Sequence, residues 1–201
     1  MEMRRHFKHV IYALSVLLVL PLWLFYTLES MILGRKRCFY GYSQLFSLIP
    51  GIIGNYLRFA FYKLTLAYVG EDACICFGVT MADPGIHIGR GVYIGPFCNL
   101  GLCTVGNDVL LGTDVHIMSG FRQHGHDDLS IPFREQEGEL LNVQIGEGTW
   151  IGNKAVVGNH VGERCIIGAA SLVNREIPPN SIAVGNPAKV IRDRRDAASN
   201  S

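Results

Sequence analysis

A chain of 201 residues has room for one folded domain with a real core, plus an appendage, at the usual ~100–200 residues per domain. Lys and Arg number 18 against 17 Asp and Glu, so a formal charge of +1 provides no global field for nucleic acid, which is excluded as a partner class. Glycine is over-used, at 23 residues, and recurs at fixed spacing, which marks an internal repeat and not low complexity.

The N-terminal part is membrane-seeking. Val10 to Leu28, VIYALSVLLVLPLWLFYTL, is 19 residues without a charge, close to the ~20 that span a bilayer. Arg4, Arg5 and Lys8 precede it, but no small-x-small cleavage site follows, so it is not read as a signal peptide. Arg35-Lys36-Arg37 comes next instead, and basic residues at both ends conflict with a simple span, because such residues favour the cytoplasmic side. Pro21 can kink the helix, and a re-entrant hairpin with both ends cytoplasmic is the expectation, with an ordinary span as the alternative. Ser47 to Gly70 is a second helix candidate. Its Arg58 and Lys63 among Tyr56, Phe59, Phe61 and Tyr62 suit either a membrane interface or a cap on the main domain. Residues 1–70 are therefore taken as a helical membrane-anchoring region, placing the chain at a bacterial-type inner membrane with the remainder on the cytoplasmic side.

From Ile88 a six-residue beat sets in: IGRGVY, IGPFCN, LGLCT, VGNDVL and LGTDVH run to His116, and IGEGTW, IGNKAV, VGNH, VGERCI and IGAASL run from Ile145 to Leu172. Each full unit is an aliphatic residue, glycine, two variable residues, a small or β-branched residue and one more. The beat slips where Leu100 and Val157 open units of five and four residues. A period of six is neither helical nor plain strand. It fits a parallel β-helix, with one short strand and one turn per unit and three units per coil of about 18 residues, the coils burying one another's faces. The fifth position (Val92, Cys98, Val109, Thr149, Ala155, Cys165 and Ser171) would sit in the crowded interior. The six cysteines contain no C-x-x-C pair, and two of them hold that interior position. They are read as inert thiols in a reducing compartment, with no metal expected.

These repeats resemble the hexapeptide-repeat acyltransferases. The resemblance implies a left-handed winding, a hand that the spacing does not supply and that departs from the usual right-handed crossover. The expected fold class is thus mainly β: a left-handed parallel β-helix over residues 71–192, preceded by membrane-associated helices and followed by a polar, frayed end at 193–201.

Residues 118–144 interrupt the beat. A β-helix accepts insertions only at its corners, so this stretch reads as an extruded loop, long enough to be functional, with Phe121, Leu129, Ile131, Pro132 and Phe133 available to pin it to a surface. Here the resemblance sharpens to the galactoside, maltose and nodulation-factor acetyltransferases, whose histidine precedes a loop that rejoins at a W-I-G unit. VHIMSGFRQHGHDD and VQIGEGTWIGNKAVV place His124 at that catalytic position. The family's histidine is commonly followed by proline, whereas Gly125 follows here and His126 stands two residues on, so the two assignments can be exchanged. Imidazole, with a pKa near ~6.5, can take the proton of a sugar hydroxyl and pass it to a departing thiolate. Asp127 or Asp128 could orient the ring or be solvated loop carboxylates.

Val161 to Arg192, VGERCIIGAASLVNREIPPNSIAVGNPAKVIR, is similar to the family's coenzyme-binding end. The resemblance implies acetyl-coenzyme A as co-substrate, Asn153 and Ala169 along the pantetheine, Asn174 and Arg175 near the nucleotide, and Lys189 and Arg192 facing the phosphates. Trp150 would wall the thioester pocket or pack on a neighbouring subunit. It also implies a homotrimer with active sites between subunits and a sugar acceptor, which the membrane segment suggests is an exopolysaccharide, lipopolysaccharide or lipid-linked glycan precursor. A serine or amino-sugar acetyltransferase would share the coils. A non-catalytic trimeric scaffold would leave the histidine loop unexplained. A three-histidine zinc site, as in β-helical carbonic anhydrases, is disfavoured because His87, His116 and His160 lie on separate coils.

Overall fold

The computed structural model describes residues 2–198. Three helices come first: α1 (Glu2–Leu33), α2 (Arg35–Ser47) and α3 (Gly51–Thr65). The β-helix follows in six coils. Strands β1 (Tyr68–Val69), β2 (Cys74–Ile75) and β3 (Thr80–Met81) form the first; β4 (His87–Ile88), β5 (Tyr93–Ile94) and β6 (Asn99–Leu100) the second; β7 (Cys103–Val105), β8 (Leu110–Leu111) and β9 (His116–Ile117) the third. After the loop come β10 (Val143–Ile145), β11 (Trp150–Ile151) and β12 (Val156–Val157), then β13 (Ile166–Ile167) and β14 (Leu172–Val173). The last coil holds β15 (Ser181–Val184), against which β16 (Lys189–Asp193) turns back antiparallel.

The first four coils contribute one strand to each of three parallel faces, the last two continue them in part, and the expected left-handed β-helix is present. Face A is β1-β4-β7-β10, continued by single bridges at Val161 and Ile177; face B is β2-β5-β8-β11-β13-β15 with β16 at its edge; face C is β3-β6-β9-β12-β14. The aliphatic residue of each unit points inward, so Ile75, Ile94, Leu111, Ile151 and Ile167 stack in register and are fully buried. Each such side chain contributes about 1.5–3 kcal/mol relative to exposure. The fifth-position residues named above are buried beside them.

The repeat's glycine is explained by stacking. A Cβ on Gly146 would lie 2.2 Å from the amide nitrogen of Glu163 in the next coil, and one on Gly152 would lie 2.6 Å from that of Ala169. Positive φ falls two residues later, on Gly148 and Lys154 respectively. The shortened units at Leu100 and Val157 sit at the corner between faces C and A, which is also where the loop leaves the body. Stacking thus constrains two corners of each coil, and the third carries the variation.

The helices cap the first coil, with α2 against β3 and α3 against β1 and β2, and α1 lies across both. Several expectations are corrected here. The helix expected over Ser47–Gly70 spans only Gly51–Thr65, because Pro50 in an extended conformation caps its start and Leu66 turns extended at its end. Its Arg58 is not at a membrane interface. The residue is 0% exposed, donating from Nε to the Ile75 carbonyl, from Nη1 to the carbonyls of Phe46 and Ile49, and from Nη2 to Asn55 Oδ1. Phe61 and Tyr62 are buried with it, so α3 is the domain cap. Nor does Pro21 reverse the chain: α1 continues through it, and the reversal comes at Gly34, whose φ of 90° permits it.

The C-terminal strand extends to Asp193, Arg194 donates to the carbonyls of Asn180 and Arg164, and a short helix, α4 (Arg195–Ala198), follows where a frayed end was expected. The last three residues of the expected tail, 199–201, lie outside the described residues.

Candidate active site

The loop spans residues 118–142, since β10 already begins at Val143. It is built as a stem and an arm. In the stem, the Leu141 amide donates to the Ser119 carbonyl at 2.9 Å, and that of Glu139 donates to the Arg122 carbonyl at 2.7 Å. The Phe121 ring lies over Gly158, where a Cβ would come within 2.2 Å of it. The only side chain that could occupy that place without moving the ring is hydrogen. Further out, the Gln136 side chain ties Asp128 and Ile131 together, donating to both carbonyls and accepting from the Asp128 amide.

His124 and His126 are both exposed on this arm. Gly125 between them packs against Glu137, whose carbonyl oxygen would lie 2.7 Å from a Cβ. That approach accounts for a glycine at a position where a bulkier residue would push the histidines away from the stem. Neither aspartate orients His124 here. Asp127 faces His126, Oδ1 to Nε2 at 3.8 Å, and Asp128 Oδ1 accepts from the Ser130 amide and hydroxyl, which hold its carboxyl below the usual range. Of the apolar residues expected to pin the loop to a surface, Leu129 is 97% exposed, and Ile131 and Phe133 are exposed too. Phe121 rests against Gly158.

His160 stands at the loop's root, one residue before the Val161 bridge. Its Nδ1 accepts from the Gln144 amide at 3.0 Å, which leaves Nε2 to carry the proton. Its unit VGNH shows a histidine but not this tautomer, because the partner amide lies on the preceding coil.

The residues expected to meet the coenzyme fall in two groups. On face B, Trp150 points outward, 52% exposed, in a column running Leu110, Trp150, Ile166, Ile182 and Arg192. Lys189 pairs with Val184 on the same edge, and both cations are exposed. Asn153 and Ala169 stack at the adjoining corner between faces B and C. There Asn153 Oδ1 accepts from the Thr113 amide and its carbonyl accepts from that of Ala170. Small, exposed Ala169 beside an amide, with two cations further along, suits an extended arm ending in phosphates. Asn174 and Arg175 are elsewhere, at the C–A corner with the histidine loop, where the Asn174 carbonyl accepts from Asn159 Nδ2 at 3.5 Å. One chain therefore carries the histidines and the Trp150 group on separate edges and does not bring them together.

The six thiols are all free. Burial pushes Cys98 up to about 11 and raises Cys103 and Cys165. The buried Cys76 goes the other way: hydrogen bonds from Cys74 and then Tyr93 bring it down to about 6. Among the described residues no three His, Cys, Asp or Glu side chains gather to hold a metal ion.

No family profile matches the chain. The galactoside O-acetyltransferase of Escherichia coli K12 is 34% identical over 144 residues, covering 67% of each sequence. A galactoside acetyltransferase solved in complex with coenzyme A superposes with a TM-score of 0.62 at 28% identity, covering 82% of this chain and 83% of that one. A maltose O-acetyltransferase from Clostridium difficile 630 superposes with a TM-score of 0.66 at 22% identity over 79% of this chain and 87% of its own, a likeness of fold.

Proposed function

The chain belongs to the hexapeptide-repeat acetyltransferases, in the branch of the galactoside and maltose O-acetyltransferases, and is an acyltransferase with acetyl-coenzyme A as its co-substrate; from this premise we propose that it O-acetylates a sugar hydroxyl of a membrane-associated glycan. The observation that carries this reading is the stem-held loop, which leaves its histidine exposed at the corner between faces C and A.

In the proposed reaction His124 removes the acceptor's proton as its oxygen attacks the thioester carbonyl carbon. The carbon–sulfur bond breaks, and the imidazolium returns the proton to the departing thiolate, leaving an oxygen ester and free coenzyme. No acyl-enzyme forms. Lys189 and Arg192 would take the phosphates, and Asn153 and Ala169 the pantetheine. Trp150 walls the thioester or meets a neighbouring subunit. Asn174 and Arg175, which share the histidine's corner, would reach the nucleotide of the coenzyme held by a neighbour. The separation of the two groups on one chain favours a homotrimer in which the loop of one subunit closes on face B of the next.

The acceptor class is an exopolysaccharide, lipopolysaccharide or lipid-linked precursor, reached from the cytoplasmic face of the membrane to which α1 holds the enzyme. Incubating the full chain with acetyl-coenzyme A and separated soluble-sugar and lipid-carrier fractions, while following thiol release, tests this. Release with the lipid-carrier fraction supports it, and release only with an amino sugar or serine would replace it.

A further inference from the structure

We infer that α1 is a monotopic anchor, lying along one leaflet of a phospholipid bilayer with both of its ends on the side of the β-helix, and not a span. The inference rests on the membrane part of the reading above and is independent of the transfer chemistry.

A helix packed on a soluble domain buries its apolar stripe and shows its polar one to water. α1 buries an apolar stripe, Val19 and Tyr26 among it, but shows no polar one on its outer side. Its polar side chains turn inward or onto its own backbone: Ser15 Oγ donates to the Ile11 carbonyl, Thr27 Oγ1 to that of Trp23, and Trp23 Nε1 to the Leu64 carbonyl of α3 at 3.3 Å. Its single acid in this stretch, Glu29, is half-buried against the Tyr42 hydroxyl of α2. The outward positions are apolar instead, among them Leu14, Leu18, Phe25 and Ile32, and Leu48, Ile52 and Ile53 near the turn into α3 are exposed as well. Water would penalise such a face, whereas acyl chains would accept it. The absence of any charge from Val10 to Leu28 excludes a partner that recognises ions.

Length alone would permit a span, since Val10–Leu33 offers 24 apolar-rich residues. The tethers do not. Near one end, Lys8 pairs with Asp72 at 3.0 Å; just past the other, Lys36 pairs with Asp83 at 2.8 Å. Both acids belong to the first coil, Asp72 between β1 and β2 and Asp83 just after β3. The helix between these lysines is about 38 Å long at ~1.5 Å per residue, more than the ~30 Å hydrocarbon core. Standing upright, it would put one lysine across the bilayer from the coil that both of them touch. Between the ends, Tyr12 meets the Phe59 ring at 5.3 Å and Tyr26 that of Phe61 at 6.1 Å, so the helix is seated along its length. The two basic clusters, which conflicted with a span in the sequence, thus lie on one side.

Two measurements on the full chain test this. In the first, the protein is floated with phosphatidylethanolamine–phosphatidylglycerol vesicles at high salt, beside a Leu18→Asp/Phe25→Asp variant whose sites face outward and leave the core intact. The native chain floats, and the variant floats at least ten-fold less. In the second, Glu2→Cys and Arg37→Cys variants in bacterial spheroplasts meet a membrane-impermeant maleimide. Both stay at the background of the native thiols and react fully after lysis. Flotation with either position reactive in intact spheroplasts would overturn the monotopic arrangement while leaving membrane association standing. Absence of flotation, with larger oligomers lost in the double variant, would assign the face to a second copy and overturn the membrane reading too. Flotation unchanged in the variant would overturn the assignment of this face.

Discussion

The carbonyl oxygen of Glu137 occupies the space beside Gly125 so closely that a Cβ there would approach it to 2.7 Å, which ties the residue between the two loop histidines to the returning arm of the loop. Replacing Gly125 by Ala should therefore displace the histidine segment without touching the coils. The expected result is a kcat about 10²-fold lower, the penalty typical of a displacement of ~1 Å at a reacting group. Thermal unfolding should stay within about 1 kcal/mol of the native chain. Differential scanning calorimetry beside steady-state kinetics checks both.

Arg58 joins the helical cap to the β-helix through carbonyls of residues 46, 49 and 75. Arg58→Ala leaves these acceptors buried and opens a cavity, so a loss of roughly 3–5 kcal/mol is expected in denaturant unfolding. The loss should appear first as detachment of the helices, because the side chain's bond into the β-helix is to the first coil, at the Ile75 carbonyl.

Cys76 is held near a pKa of about 6 by the Cys74 thiol and the Tyr93 hydroxyl. A depressed pKa means that the thiolate is present above that value, so alkylation by a small neutral reagent should rise as pH passes about 6 and then level off. Cys98, at about 11, should stay unreactive throughout that range. Mass spectrometry of the labelled peptides reads the order. Tyr93→Phe removes one donor and should move the Cys76 midpoint upward.

The Lys189→Ala/Arg192→Ala double variant tests the coenzyme edge. Both cations are exposed and stand on the last strand of face B. Their removal should raise the KM for acetyl-coenzyme A about ten-fold, equivalent to about 1.4 kcal/mol, with kcat little changed. A matching fall in kcat would instead place them at the reacting end.

The coils were legible because each unit buries one aliphatic residue and stacks one glycine, so Ile94, Leu111 and Ile151 announce their own environment. The loop's position was legible for the same reason, as a break in that spacing. Its internal construction was not. The contact of Gly125 with Glu137 and the capture of Asp128 by Ser130 and Gln136 depend on how the arm folds back, which no periodicity encodes. Arg58 among aromatics suited either an interface or a cap, and the sequence could not choose because the carbonyls that surround it come from α2, the α2–α3 turn and β2. The lowered pKa of Cys76 was not legible because alternation along a strand does not show that Tyr93, one coil on, supplies a donor.

The central claim is that His124 is the base for acetyl transfer. Its most direct test is label transfer from acetyl-coenzyme A into a membrane glycan and lipid-carrier fraction, comparing the native chain with His124→Ala and His126→Ala. The account predicts a loss of about 10²–10⁴-fold for His124→Ala, with coenzyme affinity retained, and only a minor change for His126→Ala. Equal labelling by the native chain and His124→Ala would contradict it.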